Sequence, residues 1–549
     1  MQRMTTAEAI VGSLLRHGID TLYALPGVHN DALFDAVYRT DGRMRVLHPR
    51  HEQTSAYMAL GAALATGRPQ VCAMVPGPGV LNASSALLTA LGTCAPVIAL
   101  AGQIPSDAID RGYGHLHELR DQLGLMRHFT KFAARVSAAA EAPQLVAEAV
   151  RAALSGKRGP VALECAIDTW GREGVAPEVA PLPVLRPAVD EDAVELGAKL
   201  LGAAQRPIIV AGGGALDATA ELLAVAEALQ APVLTFRRGR GAMPTDHPLA
   251  VSFPTAHRLW KEADAVLGVG TRMHLCQSVW GTDDAMKIVR IDIDPEEHFR
   301  FRRPDCAIIA DAAEGLRALH GRIARHNRKR APREDVAAAQ TWFAEKVETK
   351  RPQIEFLRAI RAALPGDGIV VEDVTQLGFV GRLAFPVGAP RRYISPGYQD
   401  NLGWAYGAAL GAQAALPDRA VVAMCGDGGF MYQAGELATA VRHKLPVVAI
   451  VVDDGAFGNV KRIQAERFGN RLIAWDLANP DFVRFAESFG ARAWRAETPA
   501  ALQRALAEAL AERAPALIHV PVGEMPSPWD MLVLPRVRGF QDAWRVPLP

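Results

Sequence analysis

The sequence predicts an α/β protein built from three doubly wound parallel-sheet domains. Three observations carry this. Short apolar runs alternate with helical stretches along the whole chain, as strands and crossover helices must. The runs are apolar on both faces, the pattern of parallel strands covered on each side. The run-and-helix pattern is interrupted by a proline-rich, aperiodic linker at 171–187 and by a basic stretch at 325–333 that also looks like a connector. The resulting segments are 1–170, 188–325 and 350–530.

In the first segment, strands are predicted at Thr21–Leu25, Met44–Leu47, Val71–Val75, Val97–Leu100 and Val161–Leu163, after an amphipathic helix at Ala7–His17. From Pro69 to Gln103 no residue is charged, which raises a membrane span, but Pro76, Pro78 and Pro96 with Gly77 and Gly79 would break such a helix. Strand, turn, helix and strand are expected there instead. The second segment has strands at Pro207–Val210, Val233–Thr235, Ala265–Val269 and Ile288–Ile291. The third begins with Ile369–Glu372 and ends with Ala516–Val520; after Met525 the tail is expected to be irregular.

At 549 residues with half of them apolar, the chain can bury several cores. A net charge of +1 gives no footprint for nucleic acid, and the basic run Arg325–Arg333 is taken as a solvated connector. Six cysteines (Cys72, Cys94, Cys165, Cys276, Cys306, Cys425) lack CxxC spacing, which suits reduced thiols in a cytoplasmic protein. The N-terminus has no signal-peptide h-region, so export is not expected.

Chemistry concentrates between Val421 and Asn459. The runs Val421–Cys425 and Pro446–Val452 flank a helix at Glu436–Lys444, forming a βαβ unit. Its crossover places Asp427, in the turn Gly426-Asp427-Gly428-Gly429, beside Asp454 at the carboxyl ends of adjacent strands. Hard oxygen donors there suit Mg²⁺, and the glycines let backbone N–H groups approach a diphosphate.

This stretch resembles the diphosphate-anchoring motif of thiamine-diphosphate (ThDP) enzymes of the acetolactate synthase and pyruvate decarboxylase superfamily, a GDG turn followed one βαβ unit later by a pair that is usually Asn-Asn. Here the pair is Asp453-Asp454. The resemblance implies metal ligation by Asp427, Asp454 and the carbonyl of Ala456. A carboxylate in place of an amide strengthens attraction for Mg²⁺ but adds negative charge beside a diphosphate.

Pro49-Arg50-His51-Glu52-Gln53 resembles the family's RHEQ segment, which implies that Glu52 protonates the aminopyrimidine of ThDP. Pro76-Gly77-Pro78-Gly79 resembles the GPG turn, and Ser395-Pro396-Gly397-Tyr398-Gln399-Asp400-Asn401-Leu402-Gly403 resembles TSGGLGTMG, putting Leu402 where a methionine bends the cofactor. Gln376 falls where the family often has a Gln or Asn near the diphosphate. The three domains thus become pyrimidine-binding, central and diphosphate-binding. In the central one, Gly212-Gly213-Gly214 after a strand suggests a nucleotide site, but Asp217 stands where a third glycine belongs, and a tight turn is the preferred reading. Of the flavin motif of acetolactate synthases, Gly270–Leu275 keeps only Arg272, so FAD is expected to be absent.

Leu25-Pro26-Gly27-Val28-His29-Asn30-Asp31 resembles the first active-site loop, with a histidine where benzaldehyde lyase and guanidino-oxo-acid decarboxylases carry one. His29 would relay protons at the reacting carbon. Gly114-His115-Leu116-His117-Glu118 covers the acetolactate synthase FQE segment, with His117 at its glutamine; His-x-His-Glu is also open to a metal-site reading. The family's pocket lysine falls on Ile167, and its pocket methionine and tryptophan on Asn459 and Ile463. A changed acceptor or donor is therefore expected.

Together these features imply an acetolactate synthase-like enzyme that decarboxylates a 2-oxo acid, with pyruvate-type substrates and aldehydes as partners. The alternatives are a 2-oxo acid decarboxylase or benzaldehyde-lyase-like acyloin lyase, and a non-catalytic ThDP-binding paralogue. Family resemblance places Glu52 and Asp427 on facing chains, implying a homodimer or homotetramer without nucleic-acid or membrane partners.

Overall fold

The computed structural model describes residues 2–327 and 330–539. Arg328 and Lys329, inside the basic connector, and the end of the tail after 539 lie outside the described residues.

Three six-stranded sheets follow one another along the chain, and every neighbouring pair within them is parallel. The first has the spatial order Arg45–Leu47, Thr21–Ala24, Gln70–Met74, Val97–Gln103, Val161–Ala166, Ala133–Val136. The second runs Ala250–Val251, Val233–Thr235, Pro207–Ala211, Ala265–Val269, Lys287–Asp292, Cys306–Ile309. The third runs Tyr393–Ile394, Ile369–Glu372, Val421–Gly426, Val448–Asp453, Ala516–Pro521, Arg492–Arg495. Central strands are buried end to end, which is why they stood out as apolar runs.

In each sheet the strand order reverses beside its earliest strand, and crevices for ligands open at the carboxyl ends of the strands flanking such a reversal. In the first sheet the reversal lies between Thr21–Ala24 and Gln70–Met74, which feed the loops bearing His29 and Gly77. In the third it lies between Ile369–Glu372 and Val421–Gly426, which feed Gln376 and Asp427.

Two expectations need correction. The proposed linker at 171–187 contains a strand, Glu173–Ala176, that pairs antiparallel with Gln2–Thr5 and ties the N-terminus down. Edge strands at Ala133–Val136, Cys306–Ile309, Tyr393–Ile394, Ala250–Val251 and Arg492–Arg495 also escaped notice, being short or, as in Arg492–Arg495, flanked by charge. The stretch from Pro69 to Gln103 folds as strand Gln70–Met74, helix Pro78–Gly92 and strand Val97–Gln103. Among the described residues no helix is long and apolar enough to cross a membrane.

The first and third domains share one core. Helix Glu52–Thr66 crosses helix Ala405–Ala415 so closely that a Cβ on Gly61 would overlap the Ala408 carbonyl, and one on Gly411 the Met58 carbonyl. Glycine at both places lets the backbones touch. This contact fixes the helix that starts at Glu52 relative to the loop that ends at Gly403.

Candidate functional site

Strand Val421–Gly426 delivers Asp427 to the first turn of a short helix, with its carboxylate almost fully buried. Gly426 lies opposite Val452 in the register, so Asp427 and Asp453 leave adjacent strands together. The amide of Asn479 donates to both, at 2.7 Å to Asp427 and 2.8 Å to Asp453. Asp453 accepts further bonds from His519 at 2.9 Å and from the Gly455 N–H at 3.1 Å. Asp454 instead accepts from Gln376, joining that residue to the acidic turn. Ala456 follows in a segment bridged to Asp476.

Burial raises the Asp427 carboxyl to about 6, with the charges of Asp454 and Asp453 adding to the effect. Burial also raises Asp454. Burial acts on Asp453 in the same direction but is outweighed by its bonds from His519, Asp427, Gly455 and Asn479, so it ends below the usual carboxylate range. The first acid of the pair, Asp453, is thus compensated by a histidine, while Asp427 and Asp454 stay available to a hard cation.

At the first-sheet crevice, Glu52 opens helix Glu52–Thr66 and accepts a bond from Asn82 at 3.1 Å. One of its oxygens lies over the Gly77–Gly79 turn. Gly77 has φ +56°, and a Cβ there would overlap the His117 carbonyl. The His29 and His117 rings stack with centroids 5.0 Å apart and planes 25° from parallel. Both Nδ1 atoms are buried without a partner. Burial lowers the His29 pKa and the neighbouring His117 lowers it further, favouring the neutral ring. The Glu118 carboxylate accepts from the His115 backbone N–H at 2.8 Å, and no three His, Cys, Asp or Glu side chains converge on a cation site among the described residues. The metal reading of His-x-His-Glu gains nothing from this.

Comparison with known proteins now bears on this geometry. Residues 4–125 match the thiamine pyrophosphate enzyme N-terminal TPP binding domain, 194–319 the central domain of these enzymes, and 373–520 the C-terminal TPP binding domain. A probable 2-ketoarginine decarboxylase of Pseudomonas aeruginosa is 31% identical over 89% of this chain and 88% of its own length. A probable acetolactate synthase large subunit of Methanocaldococcus jannaschii is 31% identical over 94% and 92%. The acetolactate synthase isozyme 3 large subunit of Escherichia coli is 29% identical over 93% of each chain. The chain belongs to the thiamine pyrophosphate enzyme family.

Within this ThDP-family chain the expected residues fall into two groups. Gly426, Asp427, Gly428, Gly429, Gln376, Asp454 and Ala456 gather at the third sheet, whereas Glu52, Gly77, His29 and His117 gather at the first. No hydrogen bond or ion pair joins Glu52 to Asp427 or Asp454 within the chain, among the described residues. Leu402 is half-buried between Asn401, whose amide donates to Tyr57, and Gly403, whose N–H donates to the buried Asp373 at 3.2 Å. Asn459 and Ile463 lie on helix Gly458–Arg467, where Asn459 accepts from Arg462 at 2.9 Å. Ile167 starts the short helix Ile167–Trp170.

Several contributors were missed in the sequence. Asn479 and His519 complete the acidic cluster, and Asp373 anchors Gly403. Gln122 accepts from the Gly77 N–H at 2.9 Å and donates to Glu164 at 3.0 Å, which pairs with Arg135 at 2.6 Å. None sits in a recognisable motif, so only folding reveals them.

The central domain holds a cavity of about 380 Å³ at its own strand reversal, lined by Gly213, Arg238, Arg272, Asp292 and Asp311 among others. A Cβ on Gly212 would overlap the Gly270 carbonyl, which supports the tight-turn reading of the glycine run. Arg272, retained from the flavin motif, is engaged by Glu297 at 3.5 Å, whereas the Arg238 Nε is buried without a hydrogen-bond partner.

Proposed function

We propose that the protein is a ThDP- and Mg²⁺-dependent enzyme that makes or breaks carbon–carbon bonds, most simply an acetolactate synthase-like decarboxylation of a 2-oxo acid followed by transfer to a carbonyl acceptor. The observation that carries this is the placement of Asp427 and Asp454 at adjacent strand ends beside a sheet reversal, with Gln376 bonded to Asp454. ThDP supplies a stabilised carbanion equivalent at its thiazolium C2.

The residues' own contributions follow from their places. Asp427, Asp454 and the Ala456 carbonyl would hold Mg²⁺, and the N–H groups of Gly428 and Gly429 would receive the diphosphate. Glu52 would hold a proton at the pyrimidine nitrogen, and Leu402 would take the place of the family's bending methionine against the cofactor. By family resemblance Glu52 and Asp427 serve opposite ends of one cofactor from facing chains, so the proposed site is completed by a second subunit, in a homodimer or homotetramer. FAD is not included in the proposal. A cytoplasmic location fits the unpaired cysteines.

A second reading is favoured by the stacked His29 and His117, a buried and a half-buried imidazole whose unpartnered Nδ1 atoms suit moving protons at a polar substrate. It makes the enzyme a 2-oxo acid decarboxylase or acyloin lyase, in line with the similarity to a probable 2-ketoarginine decarboxylase. Replacement of the pocket lysine by Ile167 supports it too. Incubation with Mg-ThDP, 2-oxo acids including guanidino ones, and a panel of aldehydes, with products identified by mass spectrometry, separates the two. Glu52→Gln should abolish turnover while Mg-ThDP still binds; retained turnover refutes the assignment.

A further inference from the structure

The loop from Ser395 to Gly403 has three residues in the left-handed region: Gly397 (φ +68°), Asp400 (φ +48°) and Gly403 (φ +75°). A glycine adopts this conformation freely, but an aspartate does so only when its surroundings hold it there. The resembling family stretch TSGGLGTMG has glycine at the place of Asp400. This chain therefore spends a strained residue two positions before Leu402, and two arginines hold it.

Arg382 grips both oxygens of Asp400, with its Nη1 at 2.9 Å from one of them, and its Nε donates to the buried Glu372 at 2.8 Å. Tyr393 donates to the other oxygen of Glu372. Arg237 arrives from the central domain, itself left-handed at φ +49°. Its Nη1 donates to Asp400 at 3.1 Å and to the Gly397 carbonyl at 2.6 Å, while its guanidinium lies 4.6 Å from the Tyr398 ring centre. Two guanidinium groups thus balance two carboxylates, and one side chain ties the loop's start, ring and acid together.

The neighbouring loop residues are tied elsewhere. Asn401 is bonded to Tyr57 and to Thr89, at 3.2 Å, in the first domain, and Gly403 to Asp373 in the third. All three domains therefore converge on the residues that flank Leu402.

We propose that Arg237 is a positioning residue: through Asp400 and Gly397 it sets the place of Leu402, giving the central domain a direct hold on cofactor geometry. This rests on the functional reading above, in which Leu402 bends ThDP. The diphosphate end is gripped by other residues, so loss of Arg237 should loosen the bend and not the binding.

The test uses full-length enzyme saturated with Mg-ThDP, reading cofactor occupancy and the rate of H/D exchange at thiazolium C2 after acid quench. Arg237→Gln should leave occupancy unchanged and slow exchange about tenfold or more, because small misplacements of reacting groups are costly. Leu402→Ala should slow it similarly, and the double variant should be no slower than the worse single. A wild-type exchange rate in Arg237→Gln, or losses that multiply in the double variant, overturns the proposal. Arg237→Lys keeps the charge and should recover part of the rate; it also serves if the glutamine variant fails to fold.

A second readout needs no cofactor. Amide exchange at Asn401–Gly403 should accelerate in Arg237→Gln, and unchanged protection there overturns the clamp whatever happens to activity. If wild-type enzyme fails to exchange C2 yet the amides respond, the functional reading falls and the clamp stands.

Discussion

Glu297 in the central domain gives a perturbation whose size can be worked from the structure. Its carboxylate is 2% exposed and faces Lys157 from the first domain, Arg300 at 2.8 Å and Arg272 at 3.5 Å. Burial alone would raise this carboxyl, but the bonds from Lys157 and Arg300 win and bring it from 4.5 to about 2. At about 1.4 kcal/mol per tenfold change in proton affinity, that difference is worth roughly 3 kcal/mol. The three cations are 30%, 45% and 33% exposed in their side chains, so solvent screens part of it. Glu297→Gln should therefore destabilise the protein by about 2 kcal/mol at neutral pH. The sign follows from linkage: a depressed carboxyl contributes fully above its unfolded pKa and loses its contribution as pH falls through the folded value. The gap between wild type and variant should then be equal at pH 7 and pH 5.5, measured by urea unfolding with equal m-values. A gap below about 0.5 kcal/mol, or one that already shrinks between those pH values, refutes the argument.

Two further outcomes test other parts of the account. Gly61→Ala forces a methyl into the Ala408 carbonyl and should cost about 1–3 kcal/mol by overpacking the helix crossing; urea unfolding at wild-type stability would contradict the close contact. His29 is held below its ordinary pKa by burial and then by His117, so on acidification the unfolded chain takes its proton first. The stability tied to its neutral ring is present above about pH 6.5 and lost as pH falls towards the lowered folded value. His117→Gln should move the His29 titration upward in an NMR pH series, and a wild-type His29 titrating at or above 6.5 would disprove the environment described.

Legibility in the sequence followed burial. Strands such as Val97–Gln103 and Val161–Ala166 are apolar on both faces and stood out, whereas Arg492–Arg495 begins and ends with arginine at a sheet edge and did not. The pairing of Asp427 with the Asp453-Asp454 turn was legible because one βαβ unit connects them. Asn479 and His519 were not, since they reach the same turn from a later loop and from a strand beyond the unit. Arg237 and Asp400 come together only when the central domain packs on the third, which no local spacing encodes. Glu52 was legible through resemblance alone, as a lone glutamate at a helix start carries no signal of its own.

Mixing two inactive chains tests the central claim most directly. Glu52→Gln and Asp427→Asn each remove one end of the cofactor site, and a mixed dimer places both lesions in one site and leaves the other intact. Co-expressed with separate tags and purified through both in turn, the mixed dimers should recover roughly half of wild-type activity, as each has one working site of two. No recovery above either parent variant would show that Glu52 and Asp427 act within a single chain.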